Sequence, residues 1–99
     1  TDQPAVIREL ALIKVAATPG QRAEVASLAS IFRGSIVDVA SDSVVVQITG
    51  TEDKIASLLE LLNPLGVLEM VRTGNIAMMR GAMSGKRYYQ EKQTVNSGQ

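Results

Sequence analysis

The sequence of 99 residues contains no cysteine and no histidine. Without cysteine the chain has no disulfide, no thiolate nucleophile and no zinc–thiolate site. Without histidine it lacks the commonest general base near neutral pH and the commonest ligand of transition metals. These absences leave no candidate catalytic residue, no candidate cofactor-binding residue and no candidate metal ligand. They favour a protein that acts by binding.

An excess of charge of one sign is also missing, since ten basic and ten acidic residues give a formal net charge of zero. Surfaces that bind nucleic acid or anionic membranes normally carry an excess of lysine and arginine. RNA-recognition modules also stack bases on strand aromatics, whereas the aromatic residues here are Phe32, Tyr88 and Tyr89, outside the predicted strands. We therefore predict no nucleic-acid partner and no membrane partner. The neutral charge favours self-association, so we predict a homodimer.

Long apolar runs are absent as well. No stretch approaches the roughly 20 residues that cross a bilayer, and no signal peptide opens the chain. The length fits one domain, and a hydrophobic content of 45% is typical of a globular protein. With no cysteine for disulfides, the predicted location is the cytoplasm, or a plastid or mitochondrion in a eukaryote.

What the chain does contain is a regular succession of strand and helix patterns. Strands are predicted at residues 6–17, 36–40, 44–49 and 67–73, and residues 76–80 either continue the fourth strand or form a separate one. One helix is predicted to begin after Thr18, with Pro19 at its first position and Gln21 completing a capping box. Gly34 is predicted to end it as a left-handed cap. Thr51 is the predicted N-cap of the second helix.

Each predicted helix carries one apolar stripe, and the two stripes are offset by thirty residues at every position. This offset supports a duplicated βαβ unit. The element order predicts an α+β fold, a ferredoxin-like βαββαβ sandwich in which a four-stranded antiparallel sheet carries two helices on one face. Residues 1–5 are a predicted lead-in, 6–81 the domain and 82–99 a polar, flexible tail. The stripes consist of Val25, Leu28, Ala29 and Phe32, and of Ile55, Leu58, Leu59 and Leu62.

Two helices cover only one face of such a sheet, so the other face is predicted to be open. Alternation along the strands assigns Ala11, Ile13, Val15, Val37, Val39, Val44, Val46 and Ile48 to the helix side. It assigns Leu10, Leu12, Ile36 and Val45 to the open side, among Arg8, Lys14, Asp38, Gln47 and Thr49. An exposed apolar patch often marks a protein interface. The predicted interface residues are Arg8, Leu10, Leu12, Lys14, Val45 and Arg72.

Three further patterns are better explained structurally than chemically. Glu52 and Asp53 fall in the first turn of a helix, where the helix dipole favours carboxylates. The glycines of residues 81–86 have the wrong spacing for a phosphate-binding loop. Methionines 78, 79 and 83 are interpreted as packing residues rather than metal ligands, because methionine fills irregular apolar gaps.

Five strings, in this order and spacing, resemble a known family. They are RELALIKV at 8–15, IFRGSIVDV at 31–39, TGTEDKI at 49–55, LNPLGV at 62–67 and VRTGNIA at 71–77. Over residues 8–81 they are similar to the C-terminal half of the small, regulatory subunit of acetolactate synthase (acetohydroxyacid synthase). Asn75 departs from the basic residue that relatives often carry there, and residues 82–99 match no part of the family.

The resemblance implies a non-catalytic regulatory domain. In the family, a separate catalytic (large) subunit holds thiamine diphosphate, Mg and FAD and joins two 2-keto acids in the synthesis of valine, leucine and isoleucine. The small subunit activates that enzyme and confers feedback inhibition through an N-terminal ACT domain. The expected partner is therefore the catalytic subunit, with no cofactor on this chain. The alternative is a stand-alone ferredoxin-like domain that senses a small metabolite at a dimer interface.

Overall fold

The structure, a computed structural model, describes residues 5–82. Predictions that concern residues 1–4 and 83–99, including those on Met83, Tyr88 and Tyr89, lie outside the described residues. The elements run in the order β1 (Ala5–Ala16), α1 (Arg22–Ile31), β2 (Ser35–Val39), β3 (Ser43–Gly50), α2 (Glu52–Leu62), β4 (Val67–Arg72) and β5 (Ile76–Met79). Short 3-10 turns precede α1 at Pro19–Gln21 and follow α2 at Asn63–Leu65.

The strands form an antiparallel sheet in the order β2-β3-β1-β4, with α1 and α2 as the crossovers. This order confirms the ferredoxin-like fold. Residues 76–79 form a separate fifth strand, which also pairs antiparallel with β1. Within residues 5–82, no helix has the length and apolar character needed to cross a membrane.

Strand β1 is long enough to serve two parts of the molecule. Its residues 9–16 pair with β3 and its residues 11–15 pair with β4, inside the body of the sheet. Residues 5–8 extend beyond β3 and pair only with β5, over the register Ala5↔Met79 to Arg8↔Ile76. We call residues 5–8 together with β5 the arm. It is a two-stranded ribbon that projects from the sandwich.

The core lies between the sheet and the two helices. Both predicted stripes are confirmed, because Val25 and Ala29 of α1 and Ile55, Leu58 and Leu62 of α2 are buried. The remaining stripe residues pack against the same cluster. Burial of each large aliphatic side chain contributes about 1.5–3 kcal/mol, which fixes the helix-covered face of the sheet. The sheet supplies Ala11, Ile13, Val15, Val44, Val46 and Ile48.

The end of α1 differs from the prediction. Arg33, not Gly34, has the positive φ, at 60°. The Gly34 N–H donates to the Ala29 carbonyl at 2.7 Å and the Arg33 N–H donates to the Ser30 carbonyl at 2.9 Å, the two bonds of a Schellman motif. Gly34 is needed for a different reason: a Cβ there would lie 2.8 Å from the backbone oxygen of Gln47. The glycine allows the helix end to approach β3.

The predicted faces of Ile36 and Val37 on β2 are wrong. Ile36 pairs with Val46 and packs against the core, whereas Val37 is 49% exposed. Val39 lies opposite the buried Val44, on the predicted helix side, and is 53% exposed because β2 is at the edge of the sheet. The register shifts between Ile36 and Asp38, as at a β-bulge. One inserted residue reverses the alternation of every side chain beyond it. Simple alternation along β2 therefore assigned Ile36 to the open side and Val37 to the helix side, the reverse of their positions.

Candidate functional site

The open face of the sheet, opposite the helices, carries an apolar groove of about 180 Å³. The strand register explains how it forms. Leu12 lies opposite Val71 of β4, and Lys14 lies opposite both Val45 of β3 and Glu69 of β4. Side chains directly opposite in antiparallel strands share one face and lie within contact distance. The groove is lined by Leu12, Lys14, Val45, Glu69 and Val71.

Two opposite charges lie beside the apolar floor of this groove. The Lys14 ammonium donates to a carboxylate oxygen of Glu69 at 3.0 Å, and the two side chains are 43% and 61% exposed. An exposed pair of this kind contributes little to folding, about 0–1 kcal/mol. Its charges remain available to a partner surface. The groove therefore combines an apolar floor with a polar edge, as protein interfaces do.

The apolar surface continues from the body of the sheet onto the arm. Val6 lies opposite Met78 and Arg8 lies opposite Ile76, on the same side as Leu10 and Leu12. A second groove of about 250 Å³ lies here, lined by Val6, Arg8, Ile76, Ala77 and Met78. Ile76 is 62% exposed and Met78 is 76% exposed. Contiguous exposure of this kind typically marks an interaction surface.

Arg72 does not lie on the open face. It faces the helix side, where its guanidinium donates through Nε and Nη2 to the two carboxylate oxygens of Glu9, at 2.6 and 2.8 Å. Glu9 is buried at 4% exposure. The hydrogen bonds from Arg72 lower the pKa of the Glu9 carboxyl, although burial opposes them, and the bond to Glu9 raises the pKa of Arg72. A paired, buried carboxylate of this kind is a structural anchor.

The same region fixes the root of the arm. The Thr73 N–H donates to the Leu10 carbonyl at 3.0 Å, and the Leu10 N–H donates to Oγ1 of Thr73 at 3.0 Å. The backbone of Gly74 also bonds to the Glu9 carboxylate, and Gly74 has a positive φ of 77°. These contacts tie the connection between β4 and β5 to β1, so the direction in which the arm leaves the body is set by Glu9 and Thr73.

A larger cleft of about 830 Å³ lies between the arm and the start of α2. Ile7, Glu52 and Asp53 contribute to its walls, together with Asn75 and Arg80. Thr51 caps α2 by accepting a hydrogen bond from the Lys54 N–H at 3.3 Å, which confirms the predicted N-cap. Residues 5–82 contain no group of three acidic, histidine or cysteine residues that could hold a metal ion.

The structure thus brings Leu12, Lys14 and Val45 into one groove and places Arg8 and Leu10 on the same face. Sequence reasoning missed Glu69, Val71 and the arm residues Ile76 and Met78. The faces of β4 could not be read from alternation, because its register with β1 shifts between Lys14 and Val15. The sequence feature that could have indicated the arm is the apolar run IAMM at residues 76–79, which follows shortly after Gly74.

Comparison with known proteins identifies relatives over almost the whole described chain. The family model for the small subunit of acetolactate synthase matches residues 8–81. The chain is 52% identical over 81 residues to the acetolactate synthase small subunit of Bacillus subtilis, covering 82% of this chain and 47% of that protein. It is 55% identical over 82 residues to the small subunit of Aquifex aeolicus, covering 81% of this chain and 42% of that protein.

This chain is also similar to a small subunit whose structure has been solved. The crystal structure of the small subunit from Thermotoga maritima superimposes with a TM-score of 0.71 at 40% identity, covering 79% of this chain and 48% of that chain. The chain spans about half the length of the relatives it matches, in their C-terminal region. The chain belongs to the family of acetolactate synthase small subunits, in which it corresponds to the C-terminal domain.

Proposed function

We propose that this chain is a non-catalytic regulatory module of acetolactate synthase that docks onto the catalytic subunit through the open face of its sheet. The observation that carries the proposal is the groove lined by Leu12, Val45 and Val71 on a face that no described element covers. Membership of the small-subunit family supports the identity of the partner. Docking there would contribute to assembly, activation and feedback control of the enzyme.

The physical support for docking is the balance of apolar and charged groups on this face. Leu12 is 36% exposed and Val71 is 58% exposed. Burying such side chains in an interface yields about 25 cal/mol for each Å² of apolar surface. Lys14 and Glu69 lie at the edge, where charges set orientation and association rate more than affinity. The groove is thus suited to a partner that offers an apolar projection flanked by polar groups.

The chemistry in this proposal belongs to the partner. In it, the catalytic subunit would bind thiamine diphosphate, Mg and FAD and would make acetolactate for the synthesis of valine, leucine and isoleucine. This chain supplies binding surface only. The predicted location of this assembly is the cytoplasm, or a plastid or mitochondrion in a eukaryote.

The proposal is tested by comparing affinities for the cognate catalytic subunit. Leu12→Ser removes the floor of the groove without touching the buried core, so we expect its dissociation constant, measured by biolayer interferometry, to rise at least about tenfold. Leu61→Ser is the matched control, because Leu61 is 48% exposed on α2, away from the open face. We expect the control to bind like the wild type. Equal binding by the wild type and both variants, or no binding by any of them, would overturn the proposal.

A further inference from the structure

The cleft between the arm and the start of α2 borders an unpaired strand edge. Residues 5–8 of β1 pair with β5 on one side. On the other side, pairing with β3 stops at Glu9, which lies opposite Gly50, the last residue of β3. The chain turns into α2 after Gly50. The cleft therefore lies where a further stretch of strand beside residues 5–8 would run.

The backbone groups on the cleft side of this edge follow from the alternation along β1. The N–H and C=O of Leu10 both bond to Thr73, so the even-numbered residues of β1 direct these groups toward β4 and β5. The backbone groups of Ala5 and Ile7 therefore point toward the cleft. Such a row of donors and acceptors is a template for an extended segment of chain, which pairs with it through its own backbone.

The side chains around the cleft state what such a segment should carry. The arm contributes Ile7, which is 37% exposed, together with Arg8 and Arg80. The first turn of α2 contributes Glu52 and Asp53, and in the described part of the chain neither carboxylate forms an ion pair. The cleft thus fits a segment that combines basic side chains, for the wall formed by α2, with an apolar or aromatic surface for Ile7.

The sequence contains a segment of this chemistry shortly after the described residues. Arg80 lines the cleft, and residues 86–89 read KRYY, a basic pair followed by an aromatic pair. A chain extends by at most about 3.6 Å per residue, so Lys86 can lie anywhere within about 20 Å of Arg80. Residues 5–8 occupy only about 10 Å of strand. The connection is therefore long enough to reach every part of the cleft.

We propose that residues 86–89 bind in the cleft of the same chain. Their two basic side chains contact the carboxylates of Glu52 and Asp53, and a tyrosine ring packs on Ile7. The segment gives the arm a third stretch of chain, which a two-stranded ribbon needs for stability in water. The inference does not rest on the proposed function, because no other protein takes part in the contact.

Charge and connectivity favour this segment over a strand of another protein. Residues 1–82 contain seven basic and nine acidic side chains, whereas residues 83–99 contain three basic and one acidic. The two parts of the chain therefore attract each other. A segment tethered this close to its site also has an effective concentration on the order of 1 mM, so that even weak binding keeps the cleft occupied.

Tyrosine fluorescence reports on this segment alone, because the sequence has no tryptophan and its two tyrosines are Tyr88 and Tyr89. We expect the acrylamide quenching constant of the full chain to be at least about twofold lower than that of a synthetic peptide of residues 83–99, because a docked ring buries much of its surface. Glu52→Lys combined with Asp53→Lys should raise the constant to that of the peptide, since like charges then face each other.

Glu24→Lys combined with Glu60→Lys is the matched control. It makes the same change in net charge, and Glu24 lies in the first turn of α1 as Glu52 does in α2. Neither control residue lines the cleft. We expect this variant to be quenched like the wild type, and circular dichroism checks that both charge-reversal variants keep the fold.

A charge exchange tests where the segment binds. Lys86→Glu combined with Arg87→Glu should raise the quenching constant in the wild-type background. In the background of Glu52→Lys and Asp53→Lys the same two changes should restore the wild-type value, which a fold defect would not allow.

Because the sequence also predicts a homodimer, dilution separates binding within one chain from binding to a second copy. Protection of the tyrosines should not change over about a hundredfold dilution, since a tethered contact does not depend on protein concentration. Loss of protection on dilution would assign the segment to the cleft of another copy and overturn the proposal. A wild type quenched like the free peptide, equal quenching of the two charge-reversal variants, or no restoration by the charge exchange would each overturn it as well.

Discussion

The carboxylate of Glu9 lies at 4% exposure among the helix-side residues of β1, with both oxygens bonded to Arg72. Because those bonds hold the pKa of Glu9 below its ordinary value, its pKa in the folded chain lies below that in the unfolded chain. The pair therefore stabilises the fold fully above the unfolded pKa, about 4.3, and this contribution is lost as the pH falls through the folded pKa.

Glu9→Gln tests this linkage, since glutamine cannot carry the charge. We expect the variant to be less stable than the wild type at neutral pH. The difference in the free energy of unfolding between the wild type and Glu9→Gln, measured by urea titration, should become smaller as the pH falls below about 4. Glu69→Gln is the control: Glu69 pairs with Lys14 at the surface, so the change should stay within about 0.5 kcal/mol at every pH. A gap for Glu9→Gln that is constant from neutral to acid pH would contradict this account.

At the scale of elements, the end of α1 contains two adjacent residues at which substitutions should change stability in opposite directions. Arg33 has φ 60°, a conformation that costs an L-residue roughly 1–2 kcal/mol. Gly34 has no room for a Cβ beside the Gln47 carbonyl. We expect Arg33→Gly to stabilise the chain by a few tenths of a kcal/mol up to about 1, after the entropy of glycine in the unfolded chain is subtracted. Gly34→Ala should destabilise it by about 1–3 kcal/mol.

Thermal and urea unfolding of the two variants, compared with the wild type, measure these changes in the free energy of unfolding. The signs should be opposite although the residues are neighbours. If Gly34→Ala were neutral, the close approach of the helix end to β3 would not limit this position.

The elements themselves could be predicted from the sequence because each follows a local signal. The stripes of α1 and α2 have the helical period. Thr18 precedes the 3-10 turn that leads into α1, and Thr51 and the turn at Asn63 mark the two ends of α2. The faces of Ile36 and Val37 on β2 could not be predicted, because the bulge after Ile36 adds one residue without any change in composition. The left-handed residue at the end of α1 was also misplaced by one position, since Gly34 satisfies a steric need that only the packed structure creates.

At the scale of the whole molecule, what could not be predicted depends on contacts between residues far apart in the sequence. Arg72 and Glu9 are 63 residues apart, so alternation on either strand gave no reason to pair them. The open face was predicted because two helices can cover only one side of the sheet. Its extension onto the arm depends on β5 pairing with the first four residues of β1, which periodicity does not encode.

The proposed function requires the chain to act on a catalytic subunit without performing chemistry itself. The most direct measurement is the rate of acetolactate formation from pyruvate by the cognate catalytic subunit, with thiamine diphosphate, Mg and FAD present, as this chain is added. We predict a saturable change in that rate and no product from the chain alone, with Leu12→Ser requiring at least about tenfold more chain for the same effect. A rate that is unaffected by excess chain, or product formed by the chain alone, would contradict it.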